Sequence, residues 1–241
     1  MQNQFDPRTT AANTATVGVP RAARDAGLRS YMLSVYNYMA SGVLLTGIVA
    51  MLFANSGYAE QIMATPLRWL IILAPLGFVM AMSFGLNRMS TSTLQILFWA
   101  FAVTMGLSMS TIFLVYTGTS IAQTFFAVAA GFAGLSLWGY TTKKDLSGWG
   151  TFLIMGVVGL FVAMLINMFL QSATMMLAIS GIGVLLFAGL TAYDTQRIKS
   201  MYAHVAGSDM MGKVVIMGAL SLYLDFINMF MFLLSFMGDR R

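Results

Sequence analysis

A chain of 241 residues that is 59% hydrophobic and only 9% charged is not a soluble domain, where about a quarter of residues carry charge. The formal charge of +5 sits in loops between apolar runs, so it speaks of anionic lipid and topology rather than nucleic acid. The absence of cysteine rules out disulfides, thiol catalysis and Cys-ligated metal.

Residues 1–30 are polar and rich in Ala and Thr, and they lack the apolar core of a signal peptide. They are expected to form a disordered cytoplasmic tail ahead of a membrane domain over 31–238. A membrane helix needs about 20 apolar residues, so the gaps between charges count the spans. Arg29 to Glu60 encloses 30 uncharged residues and Arg68 to Arg88 encloses 19, one span each. Arg88 to Lys143 encloses 54, two spans with a turn near Thr117–Ser120, and Asp145 to Asp194 encloses 48, two more turning near Gln171-Ser172. With Val214–Met237 the total is seven. The predicted spans are Tyr31–Phe53, Leu67–Leu86, Leu94–Tyr116, Ile121–Tyr140, Trp149–Leu170, Met175–Thr195 and Val214–Met237. The longest connections are Ala54–Pro66 and Gln196–Lys213. The fold class is therefore an all-α integral membrane bundle of seven helices.

Orientation follows from the loop cations. With the N-terminus inside, the inner segments carry Arg8, Arg21, Arg24, Arg29, Arg88, Lys143, Lys144, Arg197, Lys199 and Lys213, against Arg68, Arg240 and Arg241 outside. The C-terminus is then expected outside. The alternative is a re-entrant last segment, which would return Arg240 and Arg241 to the inner face.

Little in the chain supports enzyme chemistry. His204 is the only histidine and reads as a surface residue of the inner loop. No Ser/His pair lies within the spans, no buried Lys offers a Schiff base, and no Gly-rich phosphate loop is present. Neither enzymatic activity nor a bound cofactor is expected. The 22 methionines read as adaptable packing. Small residues at four-residue spacing, Ala129/Ala133 and Ala130/Gly134, suggest close helix contacts in the fourth span.

Two acids remain. Asp225 interrupts the last span, and a carboxylate in hydrocarbon costs several kcal/mol unless it is protonated, paired or hydrated. Gly218, Ser221, Asp225 and Asn228 recur at helical spacing, which makes one polar stripe that must face protein or water. Asp194 ends the sixth span, one turn after Thr191. Arg88, at the inner end of the second span, is at a similar predicted depth, so an Arg88–Asp194 pair would close the inner end. Arg197 and Lys199 compete for that acid from its own helix.

The segments Gly189-Leu-Thr-Ala-Tyr-Asp194-Thr-Gln-Arg-Ile-Lys199 and Leu220-Ser-Leu-Tyr-Leu-Asp225-Phe-Ile-Asn228-Met-Phe230 closely resemble the signatures of the transmembrane Bax inhibitor motif family. Lys143-Lys-Asp145-Leu-Ser and the Val35-Tyr36 entry to the first span fit as well. The resemblance runs from about Leu28 onward and is nearest to the bacterial inner-membrane branch. It implies a seven-helix, pH-sensitive calcium leak in a bacterial inner membrane. Asp194 and Asp225 would form the sensor and ion path and offer a weak transit calcium site. Arg88 would be the latch, and Ser221, Asn228 and Thr191 would support them. Its partners would be lipid, protons and calcium as the transported ion, with no nucleic acid. The other readings are a membrane-embedded modulator of a partner such as a membrane protease, and a proton-coupled solute transporter.

One expectation sits badly with the predicted spans. At about 1.5 Å per residue, Asp225 lies roughly 18 Å in from Val214, while Asp194 is at the predicted edge of its helix. Contact between them requires the sixth span to run deeper or the seventh to begin later than predicted.

Overall fold

A computed structural model describes residues 21–241, nearly all of them helical. In chain order the helices are α1 (Arg21–Asn55), α2 (Tyr58–Met63), α3 (Leu67–Gly85), α4 (Thr91–Met109), α5 (Thr111–Val115), α6 (Gly118–Thr141), α7 (Ser147–Leu170), α8 (Ala173–Val205) and α9 (Met210–Met237). Counting α4 and α5 as one span, seven are long and apolar enough to cross a membrane. The expected seven-helix bundle is the fold. Residues 1–20 of the expected tail lie outside the described residues. Helix α1 is already formed at Arg21, ten residues before its predicted start.

Hydroxyl caps start several helices. The side chains of Ser90, Thr117 and Ser172 accept from the amides of Thr93, Ser120 and Met175 at 3.1, 3.2 and 3.3 Å, satisfying donors that the first helical turn leaves free. Both predicted turns fall where expected. The sequence reading misses a break in the third span, where Ser110 donates its hydroxyl to the carbonyl of Leu107 at 2.7 Å. A serine that hydrogen-bonds the backbone three residues back competes with the helical ladder, and α4 stops there.

The larger difference is at α8. The predicted inner loop Gln196–Lys213 is mostly helix, and α8 continues ten residues past Thr195 to end at Val205. Charge ends a membrane span but not a helix, and no Gly or Pro interrupts the run until Gly207, in the left-handed region at φ 75°. His204 consequently lies in the last turn of α8, not in a loop, although it is exposed as expected.

Helix α9 is the centre of the bundle, packed on α8, α1, α6 and α4. It is continuous over 28 residues, about 42 Å at 1.5 Å per residue, long enough to cross a hydrocarbon core about 30 Å thick. Its anchor is a buried polar knot. The Tyr223 hydroxyl meets Thr46 Oγ1 on α1 at 2.7 Å, and Thr46 donates to the carbonyl of Ala102 on α4 at 2.8 Å. The rings of Phe101 and Phe98 enclose Tyr223, with centroids 5.0 and 6.3 Å away.

This knot makes an asymmetric prediction. Tyr223→Phe removes one donor but leaves Thr46 bonded to Ala102, and should cost only about 0.5–1.5 kcal/mol. Thr46→Val strands a fully buried tyrosine hydroxyl and should cost more, about 1–3 kcal/mol. Thermal unfolding in detergent measures both, and equal losses would refute the asymmetry.

Candidate functional site

Helices α8 and α9 form an antiparallel pair joined by the short turn Ala206–Asp209. Their register can be read from contacts. A Cβ on Gly218 would meet Ile198 at 3.3 Å, and one on Gly183 would meet the Phe232 ring at 2.6 Å. Asp194 therefore comes level with Ser221, whose hydroxyl stands beside its carboxyl. Asp225 lies one turn deeper, level with Thr191 and close enough to Asp194 for the two charges to interact.

The extension of α8 removes the mismatch in depth. Asp194 stands eleven residues before Val205 and Asp225 fifteen after Met210. These are about 16 and 22 Å into their helices, a difference of one turn.

Both acids are shut away from solvent, with Asp194 9% exposed and Asp225 4% exposed. Asp225 Oδ2 is buried and has no hydrogen-bond partner among the described residues. A buried oxygen left unpaired costs about 1–3 kcal/mol, which marks the position as one not optimised for stability. Of the supporting residues, only Ser221 turns to the acids. Thr191 donates to the carbonyl of Phe187 at 2.8 Å, and Asn228 to that of Leu224 at 2.8 Å. Both spend their donors on their own helix.

The cations are arranged differently from the sequence expectation. Lys213 Nζ donates to the Leu86 carbonyl at 3.2 Å, which levels the end of α3 with the start of α9. Ser221 is eight residues further along α9, so Arg88, two residues past Leu86, lies toward the Lys213 end of α9 and not level with Asp194. Arg88 is exposed. The cation whose charge is felt at Asp194 is Arg197, one turn on along α8, and it is exposed. Lys199 is occupied, donating to the Tyr140 carbonyl at 2.6 Å with its ammonium 4.7 Å from that ring centroid.

Sequence reasoning missed Gln196. Its Oε1 accepts from the Leu146 amide and its Nε2 donates to the Lys144 carbonyl, both at 2.8 Å, pinning the α6–α7 loop to α8 beside the acids. Its place two residues after Asp194 in the first signature segment was the available signal. In that loop Asp145 accepts from the Ser147 amide at 2.9 Å, and the hydroxyl and amide of Ser147 together hold its carboxyl below the usual range.

Among the described residues no group of three or more His, Cys, Asp or Glu comes together. The pair Asp194/Asp225 is the whole anionic complement of this site. The geometry is that of a membrane bundle with two buried acids one turn apart on its last two helices, and the comparisons give it a family. The profile described as "Inhibitor of apoptosis-promoting Bax1" matches residues 28–241, and the chain belongs to that family. It is 48% identical over 219 residues to an uncharacterized protein of Rickettsia prowazekii, covering 90% of this chain and 92% of the relative. It is 44% identical over 220 residues to the inner membrane protein YbhL of Escherichia coli, covering 90% and 94%. An uncharacterized protein of Deinococcus radiodurans is 43% identical over 215 residues, covering 88% and 92%.

Proposed function

We propose that this protein is a pH-sensitive calcium leak of a bacterial inner membrane, gated by Asp194 and Asp225. The observation that carries the reading is the unpartnered, buried oxygen of Asp225 beside a second acid on the adjoining helix. The membrane assignment draws on the seven spans and on the likeness to an inner membrane protein.

In the gate, one proton shared between the carboxyls ties α8 to α9 and the path is shut. Two such groups titrate as a unit. When the proton leaves, like charges at close range in a low dielectric repel, and the helices part. The pair then offers a divalent cation at most four carboxylate oxygens, fewer than the 6–8 that calcium takes. That suits passage rather than storage. Arg88 serves as a latch only if the end of α3 swings toward Asp194, which makes it a group for a second closed state. Ser221 holds Asp194 in place, while Thr191 and Asn228 smooth the same polar seam.

Calcium entry into dye-loaded proteoliposomes across pH 5 to 8 tests this. The sign is set by the shared proton, so flux should rise with pH, and Arg88→Ala should raise flux further only at the high-pH end, where Asp194 is ionised and could pair with the arginine. Removing residues 1–20 should change neither. No flux above empty vesicles at any pH would end the leak reading and send the search to protein partners.

A further inference from the structure

Helices α1 and α6 both pack against α9, but the two part along an open, apolar groove of about 650 Å³ floored by Phe226. We infer that this groove holds one acyl chain of an anionic phospholipid, with the lipid phosphate on Arg29 at its mouth.

The length of the groove suits an acyl chain. Along α1 the lining runs from Arg29 to Leu44, about 22 Å. The apolar part from Met32 to Val43 covers about 16 Å, half of a hydrocarbon core about 30 Å thick. That is the reach of one leaflet's chain, and Arg29 sits one turn beyond it at the headgroup level. A second cavity of about 280 Å³ shares Val43, Phe125 and Phe226 and continues toward the opposite face.

The small-residue stripe of α6 acquires a use here. Ala133 is exposed, and Ala129 and Ala133 line the groove rather than making the close helix contact their spacing suggested. Opposite them stands Ala40, also exposed. Larger side chains at these positions would fill the space.

The charge at the mouth is complementary to a phosphate. Arg29 lines the groove itself, and Arg24 and Lys199 line the adjoining polar cavity, with Asp25 as the single acid there. Among the described residues no acid lines the groove.

Native mass spectrometry of delipidated protein, titrated with phosphatidylglycerol or phosphatidylcholine of identical chains, tests the assignment. The wild type should retain one phosphatidylglycerol at about fivefold lower lipid concentration than phosphatidylcholine, the effect of about one basic residue. Arg29→Gln should bring the two lipids level. Ala133→Phe, which places a ring in the groove, should weaken both alike. Both positions are exposed, and unchanged melting of the variants checks that each folds. Equal retention of the two lipids by the wild type would overturn the inference. So would a preference that survives both substitutions, or an Ala133→Phe variant that loses a dimer and no lipid.

Discussion

Asp225→Asn should leave the bundle folded and calcium flux low and flat from pH 5 to 8, where the wild type climbs. Asn has the shape of Asp and puts an amide where Asp225 has an oxygen without a partner. One amide hydrogen can go to the Asp194 carboxyl on the next helix, close enough already for their charges to interact. The variant thus reproduces the shared-proton state but cannot lose the proton. Asp194→Asn should act in the same direction, because either amide closes the same pair. A double-mutant cycle separates pair from bystanders. At pH 8 each single substitution relieves the same repulsion, so the two effects on stability should fall short of additive by about 0.5–3 kcal/mol. Additive effects, or a flux in Asp225→Asn that still follows pH, would put the sensor elsewhere.

Gly139→Val should unfold the protein at lower temperature and disturb the gate with it. Gly139 is buried where α6 crosses α8, and a Cβ there would collide with the carbonyl oxygen of Ala192 and lie 3.0 Å from its Cα. The obstacle is backbone, which cannot rotate away as a side chain can. Overpacking of this kind costs about 1–3 kcal/mol, and each kcal/mol lowers Tm by about 2–4 °C in a chain of this size. Ala192 is two residues before Asp194, so the displaced backbone is that of the sensor helix. Gly131→Val is the control, since a Cβ at Gly131 meets nothing within 4 Å. Equal losses in the two variants, read by thermal unfolding in detergent, would show that the contact does not matter.

The contrast between Gly139 and the stripe at Ala129/Ala133 shows where sequence periodicity stops. Small residues at helical spacing mark a face with room beside it. Whether a backbone or a lipid tail takes the room depends on the neighbouring helix, which the spacing does not contain. Arg88 teaches the same lesson in depth. Counting residues from charge to charge sets it level with Asp194, on the premise that the sixth span stops where hydropathy falls. The helix runs on to Val205, eleven residues past Asp194, while Arg88 stays toward the Lys213 end of α9.

What the sequence determined by itself is the membrane class, the seven spans and the two acids. Each rests on composition or on a cost local to one helix: about 20 apolar residues per crossing, and a charge that hydrocarbon does not tolerate. The motifs, read as a resemblance, led to the family that the profile match bears out. Only the tertiary structure decided which helix is central. Hydropathy points the wrong way, for α7 is the most apolar span yet 17% buried, while α9, with its acid, is 72% buried. In a bilayer the apolar helix is stable against lipid, and the helix with polar groups must be surrounded by protein. The neighbourhood of Asp194 and Asp225 and the groove floored by Phe226 under Arg29 both follow from that central position.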